Sequence, residues 1–311
     1  MRIKRILTAV LAAVTLSSSI SSAIPVQADQ VDAPYLALGA DLSETEKSTV
    51  LKLLEVDPAK LDQYMVVTVT NQDEHNYLDA YMDASVIGSR ALSSVVVEML
   101  NTFLQLILEK KETGTGIKVK TQNITYCTTG MYQNALATAG LENAEIRVAG
   151  PFQISGTAAL VGAMKAYGAM TGETIAPENA EAATEELVTT SELGETLQDQ
   201  SKAEELIGVV KDVIVSEDIT EPEKIEAVID EAAQKLEIEL AEEDKAKIAS
   251  LMEKIGDLDL DVDALKEQAQ DLYEKLEGLD LNISQEQVDG FFATIGSWFQ
   301  EIWETIKGWF N

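Results

Sequence analysis

The apolar residues of this chain change their period once, near Gly172. Before that point β-branched runs alternate with helical stretches, and after it apolar residues recur at helical spacing while strand-forming runs almost vanish. A period of two specifies sheet and a period of about 3.6 specifies helix, so one architecture cannot serve both halves. The expectation is an α+β (or α/β) N-terminal domain, residues 29–172, followed by an all-α C-terminal helical array, residues 173–311. With 46% hydrophobic residues the chain can build real cores.

In the first half, Tyr35 to Leu38, Met65 to Thr70, Gly116 to Asn123 and Ala144 to Ala149 read as strands. Ser43 to Glu55, Asn71 to Met82 and Thr129 to Gly140 read as helices, with Ser43/Glu46 and Asn71/Glu74 placed as capping boxes. Val95 to Val97 looks like a strand, yet Met99 to Leu108 carries a one-sided apolar stripe, so a strand running into an amphipathic helix is expected. In the second half Thr220-Glu221-Pro222-Glu223 marks a helix start. Leu236-x-Ile238-x-Leu240, Leu258-x-Leu260-x-Val262 and Leu279-x-Leu281-x-Ile283 read as short extended linkers that tuck alternate side chains under successive helices.

Arg2, Lys4 and Arg5 precede an apolar run from Ile6 to Leu16, and Val26-Gln27-Ala28 offers a small-x-small site. That is the pattern of a secretory signal cleaved after Ala28, with residues 1–28 removed and the product released outside the cell. The apolar run is shorter than the roughly 20 residues that cross a bilayer. Losing the signal takes the formal charge from -31 to -34. A field of that sign repels phosphates, so nucleic acid is excluded as a partner, and anionic lipid is disfavoured. Solubility is the plain reading of this acidity, and divalent-cation binding is the other.

Candidate chemistry is sparse. One histidine, His75, would have to serve any Ser-His or Cys-His arrangement, but it follows Asp73 and Glu74 in a first helical turn, where acids are favoured by the helix dipole alone. His75 is therefore read as structural, and no catalytic residue is assigned. The single cysteine, Cys127, rules out an internal disulfide and a multi-cysteine zinc site, and it reads as a small buried hydrophobe. Asp257, Asp259, Asp261 and Asp263 alternate with apolar residues, but an EF-hand counted from Asp257 would need glycine at Val262 and glutamate at Gln268. No metal and no cofactor is assigned. Gly114-Thr115-Gly116 lacks the rest of a phosphate-binding fingerprint. Ser155-Gly156-Thr157 opens a helix rich in small residues, read as a packing surface, while Thr128-Thr129 and Thr189-Thr190-Ser191 read as loop and cap material. Arg90, a lone cation between acidic stretches, is the chosen anchor for any ligand groove, with an internal salt bridge as the plainer role.

All three tryptophans fall at the C-terminus, where Phe292, Ile295, Trp298, Phe299, Ile302, Trp303 and Trp309 make a wide apolar stripe at helical spacing. Packing within its own domain is the plain reading of this stripe. An extracellular or envelope protein partner or self-association comes next, and peripheral membrane contact last, because the polar face carries Glu301 and Glu304 against Lys307. Two functions stay open: a non-enzymatic extracellular or cell-envelope binding protein, and a secreted hydrolase using paired carboxylates.

Several stretches together resemble one family. LGADLSE from Leu38, VTVTNQDEHNYL from Val67 with IGSRALSS from Ile87, MYQNALATAGLENAEIRVAGPFQISGTAALVGAMKAYG from Met131 and TEELVTTSELGE from Thr184 are similar to the secreted Firmicutes proteins grouped as domain of unknown function 1002, the YpuA-like family. The resemblance runs from Pro34 to Gly256. It implies a secreted protein of a Gram-positive bacterium, and it implies no activity.

Overall fold

Five strands form one mixed sheet in the order β2-β1-β3-β5-β4. They are β1 (Tyr35–Gly39), β2 (Met65–Val69), β3 (Ser94–Met99), β4 (Ile117–Ile124) and β5 (Ala144–Ile154). The central pairs β1/β3 and β3/β5 are antiparallel, and each edge strand runs parallel to its neighbour. The coordinates are a computed structural model that describes residues 33–99, 116–171, 175–261 and Leu265.

Alternation along the strands sends side chains to two apolar layers. Leu36, Leu38 and Val96 meet Val50 and Leu51 of helix α1 (Glu44–Leu53) and its C-cap Leu54 on one face. Tyr35, Ala37, Val95, Val97, Ile146 and Val148 point to the other face. Covering it are α4 (Thr129–Thr138) and α5 (Thr157–Thr171), reached after the short helices α2 (Asn71–Leu78) and α3 (Ala84–Ile87). The small residues of α5 let it lie close: a Cβ on Gly162 would stand 2.9 Å from the Ala37 Cβ. The packing expected of that helix is what the structure contains.

Past Pro177 the described chain is helical, as expected: α6 (Pro177–Leu197), α7 (Gln200–Ser216), α8 (Pro222–Lys235) and α9 (Glu242–Gly256). Proline opens α8 at its first turn. Asp257, Asp259 and Asp261 are exposed while Leu258 and Leu260 are half-buried, so the expected alternation of burial holds, but the expected extended linkers begin instead as helix C-terminal turns: Asp257 has helical backbone angles, and in the first copy Leu236 is followed by left-handed Glu237. Ala180, Ala183 and Leu187 of α6 join the apolar layer beneath the sheet, and α7 to α9 share a second core around Ile207, Ile229 and Leu251. Among the described residues no helix is long and apolar enough to cross a membrane.

Three local expectations shift. Val95 to Val97 is a strand through Met99, and the amphipathic continuation lies outside the described residues. The box on α2 is Thr70/Asp73 rather than Asn71/Glu74, because the Thr70 hydroxyl accepts the Asp73 amide while the Asp73 carboxylate accepts the Thr70 amide. Thr189 to Ser191 lie buried in the middle of α6, not in a loop. Residues 1–32, the copy Leu279 to Ile283 and the Trp-rich end also lie outside the described residues.

Candidate functional site

Gly39, at the end of β1, decides where the segment after α3 can run. A Cβ there would stand 2.3 Å from the Ala91 carbonyl oxygen, so only glycine lets Ala91 come this close. Asp41 then takes hold of the same residue at both ends: the Asp41 amide donates to the Ala91 carbonyl at 3.2 Å, and the Ala91 amide donates to Asp41 Oδ2 at 2.8 Å. Arg90 donates to the Asp41 carbonyl at 2.6 Å and to both oxygens of Glu46 at 3.2 and 2.8 Å. Glu46 also closes the capping box of α1 through Ser43, and Arg90 first, with those cap bonds, holds its carboxyl down to about 2. Arg90 and Ala91 are thus held against the end of β1.

Beside this segment lies a half-open groove of about 280 Å³. Ile87 to Ser93 form one wall, and Phe152 to Ala158 the other. Ser93 is buried against the second wall, its hydroxyl accepting the Ala159 amide at 2.9 Å. Phe152 stays 49% exposed on the rim.

Glu74 sits at the floor, 1% exposed. Thr157 donates to its Oε1 at 2.7 Å and Asn71 to its Oε2 at 3.2 Å. Burial pushes the carboxyl above its ordinary value, more than these bonds and nearby His75 pull it back. Reading the acids of this turn only as helix-terminus residues missed it. The available signal was spacing: Glu74, Leu78 and Met82 are four apart, and all three are buried.

The sequence-chosen residues fall in different places. Arg90 does line the groove, and it also makes the internal salt bridge. His75 is not among the lining residues; its Nδ1 lies 2.6 Å from Asp79 Oδ1 on the same helix. Cys127 is 1% exposed, and burial pushes its thiol up to about 12, so it is no nucleophile. Behind it Tyr132 donates to the Gly156 carbonyl at 2.6 Å and backs the turn into α5. Among the described residues no three His, Cys, Asp or Glu side chains gather as a metal site. Phe292, Ile295, Trp298, Phe299, Ile302, Trp303 and Trp309 are outside the described residues.

A second polar cluster joins α4, α6 and α7. Lys211 and Glu186 are 3% and 0% exposed and pair at 2.8 Å. Lys211 also donates to the Asn134 carbonyl at 2.9 Å, and Thr138 donates to Glu186. Nearby, Thr128 caps α4 and donates to Glu204 at 2.5 Å, over a Gly130 with no room for a Cβ. Burial pushes Glu205 up to about 7.

A mixed sheet with a groove at one end, followed by a helical array, is the class of protein defined by these observations. The chain belongs to the family described as "Protein of unknown function (DUF1002)", whose model matches residues 38–272. It is 35% identical over 277 residues to "Uncharacterized protein YpuA" of Bacillus subtilis (strain 168), with 89% of each chain covered. No solved structure matches the chain. NQDEH, IGSRALSS and PFQISGT, stretches that carry the family resemblance, each supply lining residues to this groove, and LGADLSE holds one of its walls through Asp41.

Proposed function

We propose that the protein is a secreted, non-enzymatic binding protein of the extracellular space or cell envelope, with its ligand held in the groove between residues 87–93 and 152–158. One observation carries this reading: among the described residues lining the groove Glu74 is the single acid, and both its oxygens are already bonded. Carboxylate hydrolysis needs two acids held in opposite protonation states across the scissile bond. The raised carboxyl of Glu74 is what favours the second reading, a secreted hydrolase, in which it would act as the general acid.

The test compares full-length protein with Ser89→Trp, which fills the groove from an exposed rim position. Each is exposed to native envelope extract, recovered, and its bound molecules are identified by mass spectrometry. Retention of an intact molecule by the wild type alone is the expected result. Recovery of cleaved products that disappear with Glu74→Gln would overturn binding in favour of hydrolysis. Secretion is part of the same proposal, and protein from culture medium is expected to begin at Asp29. The stripe from Phe292 to Trp309 is proposed as a second contact, with an envelope protein or another copy, and should be lost on deleting Ser297 to Asn311.

A further inference from the structure

Glu74 is joined to the groove by a chain of two hydroxyls. Thr157, 1% exposed, donates to Glu74 Oε1 at 2.7 Å, and Ser155 Oγ lies 3.1 Å from Thr157 Oγ1. Ser155 is half-buried and lines the groove, so the chain runs from a buried carboxyl to a surface that a ligand can touch. A hydroxyl has one hydrogen to give. While Glu74 is ionised, Thr157 gives its hydrogen to the carboxylate, so Ser155 must donate to Thr157 and turns lone pairs to the groove.

Protonation reverses this order. The Asn71 amide nitrogen donates to the Gly88 carbonyl and to Glu74 Oε2, each at 3.2 Å, so that oxygen faces a donor and not an acceptor. The added proton therefore sits on Oε1 and is donated to Thr157. Thr157 then donates to Ser155, whose own hydrogen is left for the groove. One proton has been added, and both bonds survive with their directions exchanged. Burial already favours the protonated form, Asp41 favours it further, and His75 opposes it. The other charges nearby are matched: Arg90 by Glu46, and Asp73 by Lys165 at 2.9 Å. Behind the carboxyl, burial holds Cys127 and Tyr132 neutral.

We propose that Ser155 is the specificity-determining hydroxyl of the groove and that Glu74 sets its sense: an apolar ring bearing an N–H is held while Glu74 is ionised, and acidification exchanges that preference for a ring bearing a carbonyl. Ile87, Leu92 and Phe152, which line the same groove, receive the ring. This inference rests on the binding reading above and names what that site selects.

Full-length protein, isotope-labelled at its glutamate carboxyl carbons, is titrated by NMR, and the Glu74 signal is assigned by its loss in Glu74→Gln. Ser155→Val removes the acceptor that the reversed chain needs and keeps water out of its place, so the Glu74 midpoint is expected to fall by about one pH unit. In a Thr157→Val background the chain is already cut, and Ser155→Val should leave the midpoint where it is. A chain that never reverses gives a midpoint that rises or stays in the first comparison, and that result overturns the proposal. Indole, which can only donate, and indanone, which can only accept, then probe the groove of the wild type. Indole is expected to bind about tenfold tighter above the midpoint and indanone about tenfold tighter below it. Glu74→Gln, whose amide nitrogen donates to Thr157 at every pH, should hold the groove in the sense that takes indanone. Binding of both probes without pH dependence, or of neither, would also sink the switch. If that happens while native envelope extract still yields a retained molecule, the binding reading stands without it; a switch that behaves as expected with nothing retained from extract sinks the binding reading instead.

Discussion

Thr157 donates a 2.7 Å hydrogen bond to Glu74 across 83 residues of sequence, tying the first turn of α5 to a buried carboxyl on α2. Burial raises this carboxyl above its ordinary value, so the folded protein holds its proton more tightly than the unfolded chain does. The stability linked to Glu74 is therefore present in full below the unfolded carboxyl range and lost as pH rises through the folded value. Glu74→Gln is expected to lose less stability than the wild type between mildly acid and neutral pH. Glu204 and Glu205, also raised by burial, contribute equally to both proteins and cancel in the comparison. Urea melts across pH check this, and parallel stability curves would show that Glu74 does not titrate as described.

Lys211 and Glu186 make the buried pair of the helical region. Lys211→Met removes the ammonium bonded to the fully buried Glu186 carboxyl, at a cost of about 3–5 kcal/mol. Adding Glu186→Leu should recover most of that loss, since two apolar groups of similar size replace the ion pair. Denaturant midpoints of the single and double variants decide the matter. The pair also bears on the proposed division at Gly172. Because Lys211 and Glu186 bond Asn134 and Thr138 of α4, fragments from limited proteolysis near Pro177 should co-purify until denaturant is added.

Gly39→Ala is expected to destabilise by about 1–3 kcal/mol, because the new methyl group overlaps the Ala91 carbonyl and the loop must move. Gly140→Asn should cost far less: no atom lies within 4 Å of a Cβ there, and asparagine tolerates the positive φ. Thermal unfolding of the two variants side by side checks the contrast, and equal shifts would remove Gly39 from its place as organiser of the groove wall.

The His75 side chain bonds exposed Asp79, the residue that caps its own helix. His75→Gln should change stability by no more than about 0.5 kcal/mol. Ligand retention should also survive, because His75 is not a lining residue. Loss of binding at unchanged stability would return His75 to the site.

Much of this protein was legible in the sequence because it is local. Period-two runs gave four strands, and Ser43 with Glu46 capped α1 as a neighbouring pair can. Small residues on α5 announced close packing, and Pro222 announced the start of α8. What the sequence could not say is where the ends of these elements meet. Glu74 looked like a dipole-favoured acid until helix and sheet packing buried it beneath Thr157. One wall of the groove stands where it does because Gly39 leaves room for the Ala91 carbonyl and Asp41, 50 residues earlier in the sequence, bonds Ala91 at both ends. Local periodicity is written residue by residue along the backbone. A groove depends on contacts between distant segments, so it takes shape when the chain closes on itself.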